Sequence, residues 1–175
     1  VVSIGAYAFA ESAGLVNITT GSTLTNLGTC AFENCGGLKS VDLSASTGIT
    51  RINGYVFSGC SGLTAMKLPS TLTYAFLNCT SLEEIELPDS ITGMSASAFE
   101  NCSKLSRVNF PLNWNTTYDS LRNRNDYYED SSSYYFSPFV GCNSLKNMVV
   151  PEGVTAIPKH AFRGMTALRT LVLPD

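Results

Sequence analysis

Glutamate, cysteine and histidine are the side chains of this sequence whose type and spacing could do chemistry. Glu83, Glu84 and Glu86 lie close together along the chain. Paired carboxylates are the usual acid and base of glycoside hydrolysis. A shallow, wet face does not favour such chemistry. We therefore do not expect a glycosidase site here.

Five of the six cysteines share one position, three residues after a phenylalanine: Cys35, Cys60, Cys79, Cys102 and Cys142. Neighbouring members of this column are at least 19 residues apart and the chain has one histidine, so a metal site is not expected. We predict buried free thiols that act as small hydrophobic groups. Cys30 lies outside the column, and a disulfide from it to Cys35 or Cys60 remains an alternative.

Other catalytic and cofactor sites are not expected either. His160 has no serine, cysteine and aspartate constellation near it in the sequence, so it does not suggest a catalytic base. No phosphate-binding or dinucleotide-binding motif occurs. The sequence therefore predicts a protein that is not an enzyme and that needs no cofactor.

Composition excludes two further classes of partner. The net charge is -3, and the Lys and Arg residues are scattered and form no basic stripe, so nucleic acid is not an expected partner. No run approaches the ~18–20 apolar residues needed to cross a bilayer, so we expect no direct membrane insertion. The 44% hydrophobic content is sufficient for a folded core.

The elements that position these residues follow from an internal repeat. Seven phenylalanines mark it, at spacings of 23, 25, 19, 23, 40 and 23 residues: Phe9, Phe32, Phe57, Phe76, Phe99, Phe139 and Phe162. A leucine follows each phenylalanine after six residues, and an aliphatic residue follows that leucine after three. The last aliphatic position of the L-x-x-I-x-L segment is apolar in six units, and proline follows it in five. The period is therefore about 23 residues.

Each L-x-x-I-x-L segment ends with the alternation of a short strand, and the proline removes the next backbone donor. A 23-residue unit is too short to form its own core, so each coil must cover its apolar face with the next coil. We predict an α/β solenoid of about seven coils, roughly 35 Å long, with a parallel sheet on one face. The Ala-Phe-x-x-Cys segments are expected to form short helical or irregular turns opposite the sheet.

The repeat resembles the BspA-type leucine-rich repeat family, as seen in LEEIELPDSITGMSASAFENCSKL (residues 82 to 105) and LKNMVVPEGVTAIPKHAFRGMTAL (residues 145 to 168). The resemblance implies a leucine-rich-repeat solenoid and a surface or secreted protein of host-associated bacteria or protozoa, often adhesive. An extracellular or cell-surface location follows from it. We expect residues 1–175 to form a single solenoid domain that is a fragment of a longer array, or whose ends are buried against another molecule.

Two units depart from the common length. The unit that ends at Phe76 lacks about four residues between Leu72 and Tyr74, and another unit carries two extra residues around Ser44 to Gly48. We expect local kinks at both places.

The residues between the apolar strand positions should point outward and form columns across the coils. The centre of this surface is acidic, with Glu83, Glu84 and Glu86, and is flanked by Lys67 and Arg107 on neighbouring coils. Charge pairing that keeps the sheet soluble is one interpretation. A docking surface for a basic partner segment is the other.

A long insertion, residues 112–136, carries the only tryptophan and five of the eight tyrosines. Its candidate ligand-binding residues are Trp114, Tyr118, Arg122, Arg124, Tyr127, Tyr128, Tyr134 and Tyr135. Such a composition is typical of binding surfaces and unusual for a flexible linker. The alternative is that the aromatic rings pack on the flank of the solenoid.

The sequence as a whole favours an adhesion module that recognises a protein or glycoprotein of a host or neighbouring cell. The outward sheet surface and the aromatic insertion would make the contacts. The alternative is a structural spacer in a larger surface protein, with no ligand of its own.

Overall fold

The computed structural model describes residues 1–49, 52, 55–68, 76–96, 98–118 and 137–175. Within these residues the chain forms short strands joined by turns. The strands are β1 (Ser3–Ile4), β2 (Asn17–Thr19), β3 (Asn26–Leu27), β4 (Ser40–Asp42), β5 (Ala65–Lys67), β6 (Glu84–Ile85), β7 (Gly93–Ser95), β8 (Arg107–Val108), β9 (Thr116–Tyr118), β10 (Asn147–Val149) and β11 (Thr170–Val172).

The predicted parallel sheet is confirmed. Every L-x-x-I-x-L segment supplies one strand of it, namely β2, β4, β5, β6, β8, β10 and β11. The register follows the repeat, since Ile18 pairs with Val41 and Val41 with Met66. The aliphatic residue of the strand is buried in β4, β5, β6, β8 and β10, where Val41 and Met148 are each 1% exposed. In the last strand, β11, Leu171 is 39% exposed. This sheet is called the first sheet below.

A second parallel ladder runs along another side of the coils, and the sequence analysis did not predict it. It pairs β1 with β3 and β7 with β9, and Leu27 bridges to Ile52. Its core comes from pairs of apolar residues three positions apart: Leu24 and Leu27, Ile49 and Ile52, and Ile91 and Met94, all buried. The sequence contains a signal for this ladder, because an apolar residue lies three positions after the proline that ends a strand segment. Ile91 follows Pro88 in this way, and Val154 follows Pro151.

The Ala-Phe-x-x-Cys segments form successive turns, and no helix occurs in the part of the chain that the structure describes. Six phenylalanine rings stack through these turns from Phe9 to Phe139. Neighbouring ring centroids are 5.0 to 5.9 Å apart, with interplanar angles of 2° to 14°. Of the two expected forms, the irregular turn is therefore the one observed.

Backbone geometry explains why a helix does not form in the turns. The second residue after each phenylalanine has a positive φ: Glu11, Asn34, Gly59, Asn78, Asn101, Gly141 and Gly164. Asparagine and glycine adopt this left-handed conformation more readily than other residues, and it interrupts a right-handed helix. Six of the seven positions hold Asn or Gly, a pattern that is visible in the sequence.

The cysteine column is a hydrogen-bonded ladder. Each thiol donates to the carbonyl oxygen of the phenylalanine in the preceding coil at 3.0 to 3.2 Å, beginning with Cys35 to Phe9 and ending with Cys142 to Phe99. All six cysteines are free and buried, as predicted. Cys30 is also free, so the alternative of a disulfide to Cys35 or Cys60 is not observed. It occupies a left-handed turn position instead, with φ of 56°.

Burial strongly favours the protonated thiols. Desolvation is the main cause that raises the pKa of Cys60 to about 12, with a contribution from Cys35. Desolvation also raises the pKa of Cys35 and Cys142. The pKa of Cys79 is well above its ordinary range, first because of its hydrogen bond with Cys102 and then because of burial. Buried thiols of this kind are poor nucleophiles.

The first sheet is interrupted at two places within the described residues: no strand pairing joins β5 to β6 or β8 to β10. The first interruption coincides with the 19-residue spacing and the second with the 40-residue spacing. The first site of an expected kink, between Leu72 and Tyr74, lies outside the described residues. At the second site, hydrogen-bonded turns form within Ser44–Gly48 and β4 remains paired with β5, and the kink there stays a prediction.

We predict that alkaline pH destabilises the fold through the cysteine column. The folded-state pKa of Cys60 is raised from 9.0 to about 12, so its contribution to stability is complete below pH 9.0 and is lost as the pH rises toward about 12. Thermal unfolding followed by circular dichroism should show the Tm falling progressively across this window.

The control for this prediction is Cys60→Ala. This variant is less stable at neutral pH but should lose less Tm between pH 9.0 and about 12 than the parent chain. Equal slopes for the two proteins would contradict the assignment.

Candidate binding surface

On the outward side of the first sheet, the side chains that alternate with the buried ones are exposed. They form columns that run across the strands. In β5, for example, Ala65 and Lys67 are exposed while Met66 is buried. Glu83, Glu84 and Glu86 are exposed on and beside β6, and Arg107 is exposed on β8. This outward side is called the strand face below.

Two ion pairs link neighbouring strands of the strand face. Lys67 lies 3.3 Å from Asp42 across β4 and β5, and Arg107 pairs with Glu84 across β6 and β8. The expected pairing of Arg107 with the glutamates is thus observed, whereas Lys67 pairs with Asp42. Exposed pairs of this kind contribute little stability, and they mainly orient the side chains.

Asp42 is held in its charged form. Its pKa is lowered, first by the hydrogen bonds from the Ser44 hydroxyl and backbone amide, and then by Lys67. The carboxylate therefore accepts hydrogen bonds from its own turn while it pairs with the next strand.

Asn109 supplies a second kind of link between coils. Its amide oxygen accepts from the Leu87 backbone N–H at 2.7 Å, and its amide nitrogen donates to the Leu87 carbonyl at 2.8 Å. The side chain therefore completes both backbone groups of Leu87 just beyond β6. Asn109 is fixed in place on the strand face as a result.

A broad open cleft lies on the strand face where the sheet is interrupted. Its volume is about 770 Å³. Its lining residues lie on or beside β5, β6, β8 and β10: Thr64, Glu83, Glu84, Ser106, Arg107, Val108, Asn109, Phe110, Asn147, Val149 and Pro151. A second cavity of about 480 Å³ lies between β5 and β6 and shares Glu84, Arg107, Val108 and Asn109 with the cleft. The candidate residues Glu83, Glu84, Glu86, Lys67 and Arg107 all line one or both cavities.

Trp114 is not at the surface. Its side chain is 1% exposed and contacts Phe110 and Phe139, with ring centroids 4.8 and 6.2 Å away. Its Nε1 donates to the Thr116 carbonyl at 2.9 Å. The prediction of Trp114 as a ligand-binding residue is therefore wrong, because burial leaves no surface for a partner. It follows Pro111 by three residues, which is the core position of the second ladder, so the sequence could have shown this.

The insertion begins later than predicted. Residues 112–118 belong to the coil: Leu112 N–H donates to the Asp89 carboxylate, and β9 pairs with β7. Tyr118 is the last residue of β9, and its backbone pairs with Ser95. The other candidates, Arg122, Arg124, Tyr127, Tyr128, Tyr134 and Tyr135, lie outside the described residues.

Among the residues described, no group of His, Cys, Asp and Glu is arranged to hold a metal ion. The same residues include no helix long and apolar enough to cross a membrane.

Burial and the nearby Lys159 and Arg163 charges lower the pKa of His160, which lies in a turn of the last coil.

We predict that Trp114 reports on the core and not on a ligand. Trp114→Ala should lower the free energy of unfolding by about 3–5 kcal/mol, because it leaves a large cavity. Trp114→Phe should lower the free energy of unfolding by about 1–2 kcal/mol, because a phenyl ring fills part of the space but cannot donate the hydrogen bond to Thr116. Denaturant titrations would measure both, and iodide should barely quench the native tryptophan fluorescence. Strong quenching would contradict the buried placement.

The fold is shared with bacterial leucine-rich repeat structures. A leucine-rich repeat protein of Bacteroides ovatus is 28% identical, with 99% of this chain and 41% of that chain covered and a TM-score of 0.73. A Treponema pallidum leucine-rich repeat protein is 21% identical (93% and 80% covered, TM-score 0.67). A leucine-rich cell surface protein of Faecalibacterium prausnitzii is 24% identical (100% and 52% covered, TM-score 0.60).

This chain therefore spans about two fifths of the Bacteroides ovatus structure. No curated protein gives a significant sequence match. The profile of the BspA type leucine-rich repeat region matches six copies, one fewer than the phenylalanine-marked units, over residues 1–75, 73–125 and 132–175. The seven-unit repeat, the stacked coils and this match agree, and the chain belongs to the BspA-type leucine-rich repeat family.

Proposed function

We propose that this chain is a protein-binding module that acts at the cell surface or outside the cell, with the strand face as its contact surface. The observation that carries the proposal is the 770 Å³ cleft on that face, which is lined by charged, amide and apolar groups. Protein interfaces combine apolar and polar groups in this way.

The side chains around the cleft are held in place before any partner arrives. Arg107 is paired with Glu84, and the Asn109 amide is fixed on Leu87. Groups that are already ordered lose less conformational entropy on binding, so more of the contact energy appears as affinity. This arrangement supports a binding role over a passive surface.

The apolar part of the face supports the same role. Val149 on β10 is 58% exposed and Val172 on β11 is 47% exposed, and the two residues are directly paired. An exposed apolar pair beside charged residues resembles the core and rim of a protein interface. A host or neighbouring-cell protein is the partner class that this composition suits.

A surface location is supported by the family and by the name of the Faecalibacterium prausnitzii structure, a cell surface protein. Adhesion is the role that we propose for the module there. A spacer would need only the stacked coils, and its outward columns would be passive. The two roles differ in whether changes to the strand face alter any interaction.

We predict that the array binds a subset of extracellular-matrix and cell-surface glycoproteins in a surface-plasmon-resonance panel. Changing Glu83, Glu84 and Glu86 together to Gln should weaken that binding about tenfold, because each exposed charge contributes up to ~1 kcal/mol. Raising the salt concentration should weaken it as well.

Two controls separate the alternatives. Glu11→Gln, Glu33→Gln and Glu100→Gln in one chain remove the same charge from the turn side and should leave binding unchanged. Replacing residues 119–136 with a short linker tests the insertion without disturbing the coil. Binding lost only in that variant would move the contact to the insertion, and a folded array that binds no member of the panel would favour the spacer.

A further inference from the structure

The backbone around the cleft lacks the hydrogen bonds that join other coils. In the regular coils, the residue after the first leucine donates its N–H to the preceding coil: Lys39 to Val16, Thr64 to Lys39, Ser106 to Glu83 and Arg169 to Lys146. The equivalent bond from Lys146 to Ser106 is not formed in the described residues around the cleft. The Ser106 carbonyl therefore lacks the neighbouring strand that its counterparts have.

The two coils remain in contact on the turn side. The Cys142 thiol donates to the Phe99 carbonyl at 3.2 Å, the Asn101 N–H donates to the Val140 carbonyl at 3.0 Å, and the Ser144 hydroxyl donates to the Ser103 carbonyl at 2.9 Å. The coils are thus joined at the turns, whereas no strand pairing joins β8 to β10 within the described residues. The cleft is a wedge that opens onto the strand face.

Strand geometry assigns the backbone groups that face the wedge. In a parallel sheet, successive residues direct their backbone groups to opposite neighbours. Arg107 N–H points to Glu83 on one side, so the backbone of Val108 is directed to the other side, toward β10. On β10, the Lys146 carbonyl accepts from Thr170, so Asn147 and Val149 face back toward β8. Ser106, Val108, Asn147 and Val149 all line the cleft.

Open strand edges are templates for another strand, and many proteins bind peptides by adding one at such an edge. The charges around the wedge favour a basic strand. Glu83 and Glu84 line the cleft, and Glu86 lies beside it in the adjoining cavity. Of the basic residues, Arg107 is already paired with Glu84, and Lys146 is exposed directly before β10. Side chains of an added strand would point alternately to the buried side and to the strand face. Val108 and Met148 on the buried side are only 8% and 1% exposed, so the inward-facing side chains would meet a packed core and must be small and apolar.

We infer that the wedge between β8 and β10 binds an extended peptide segment of a partner protein, with lysine or arginine alternating with apolar residues, which adds to the open edge of β8. This inference rests on the proposed function and specifies its partner. The apolar side chains of the segment face the buried side of the sheet. Its basic side chains lie over Glu83, Glu84 and Glu86.

The test uses three fluorescein-labelled eight-residue peptides in anisotropy titrations with the intact chain. The first alternates valine and lysine and should bind. The second replaces lysine with glutamate and should bind at least about tenfold more weakly, because like charges then meet. The third keeps the first sequence but has alternate backbone nitrogens methylated. It should not bind measurably, because half of its strand donors are removed.

The variant Glu83→Gln should weaken binding of the first peptide about threefold, as expected for loss of one exposed charge. The matched control Glu11→Gln removes a charge from the turn side and should leave the affinity unchanged. Amide hydrogen exchange gives a readout that charge attraction alone would not move. The Val108 amide should exchange more slowly when the first peptide is bound.

Three results would overturn the inference. The first is equal affinity for the methylated and unmethylated peptides, or unchanged exchange at Val108, since either means that no strand is added. The second is dimerisation of the peptide-free chain that Val149→Glu abolishes, since a second copy would then occupy the wedge. The third is no peptide binding by a chain that still binds glycoproteins in the surface panel, an outcome that leaves the proposed function intact. A chain that binds neither peptides nor glycoproteins refutes both proposals.

Discussion

The fold depends on one constraint: no coil can bury its apolar residues without the next coil. Each coil contributes an aliphatic residue to the first sheet, and six of the seven contribute a phenylalanine to the stack at the turns. Phe32 and Phe57 are almost fully buried only because rings lie above and below them. Stability therefore accumulates at the interfaces between coils, as expected for a solenoid.

Hydrogen bonds also join each coil to its neighbour. A cysteine thiol is small enough to fit below the phenylalanine stack, and it donates to the preceding coil. At Cys60 this places the sulfur 3.1 Å from the Phe32 carbonyl. A larger residue would separate the coils, since buried interiors are densely packed. The cysteine column thus contributes packing and a weak hydrogen bond at every step, and no covalent bond is needed.

Much of the fold could be predicted from spacing, because strand period and unit length are properties of the sequence. The first sheet, its inward residues such as Val41, and the buried free thiols were predicted in this way. The second ladder was missed although the proline-to-apolar offset encodes it, and the placement of Trp114 was missed for the same reason. The interruption of the first sheet between β8 and β10 could not be predicted. It depends on how two coils of unequal length meet, which no local pattern specifies.

Only part of the candidate site could be predicted from the sequence. Both ion pairs follow from strand register, since Glu84 is directly paired with Arg107 and Asp42 with Lys67. Lys67 does not meet the glutamates because no strand pairing joins β5 to β6 in the described residues. Asn109 was not singled out, because its role requires the Leu87 backbone to come within reach of its amide. Residues that act through the backbone of another coil have no signature in their own segment.

The missing strand pairing between β8 and β10 also has a mechanical consequence. Under load along the solenoid axis, an array of nearest-neighbour contacts yields first at the interface with the fewest bonds. Within the described residues, the strand ladder is missing at two interfaces, β5 to β6 and β8 to β10, so the blocks of coils on either side of them would separate first. Under tension the chain would therefore extend at defined points and keep the coils within each block folded.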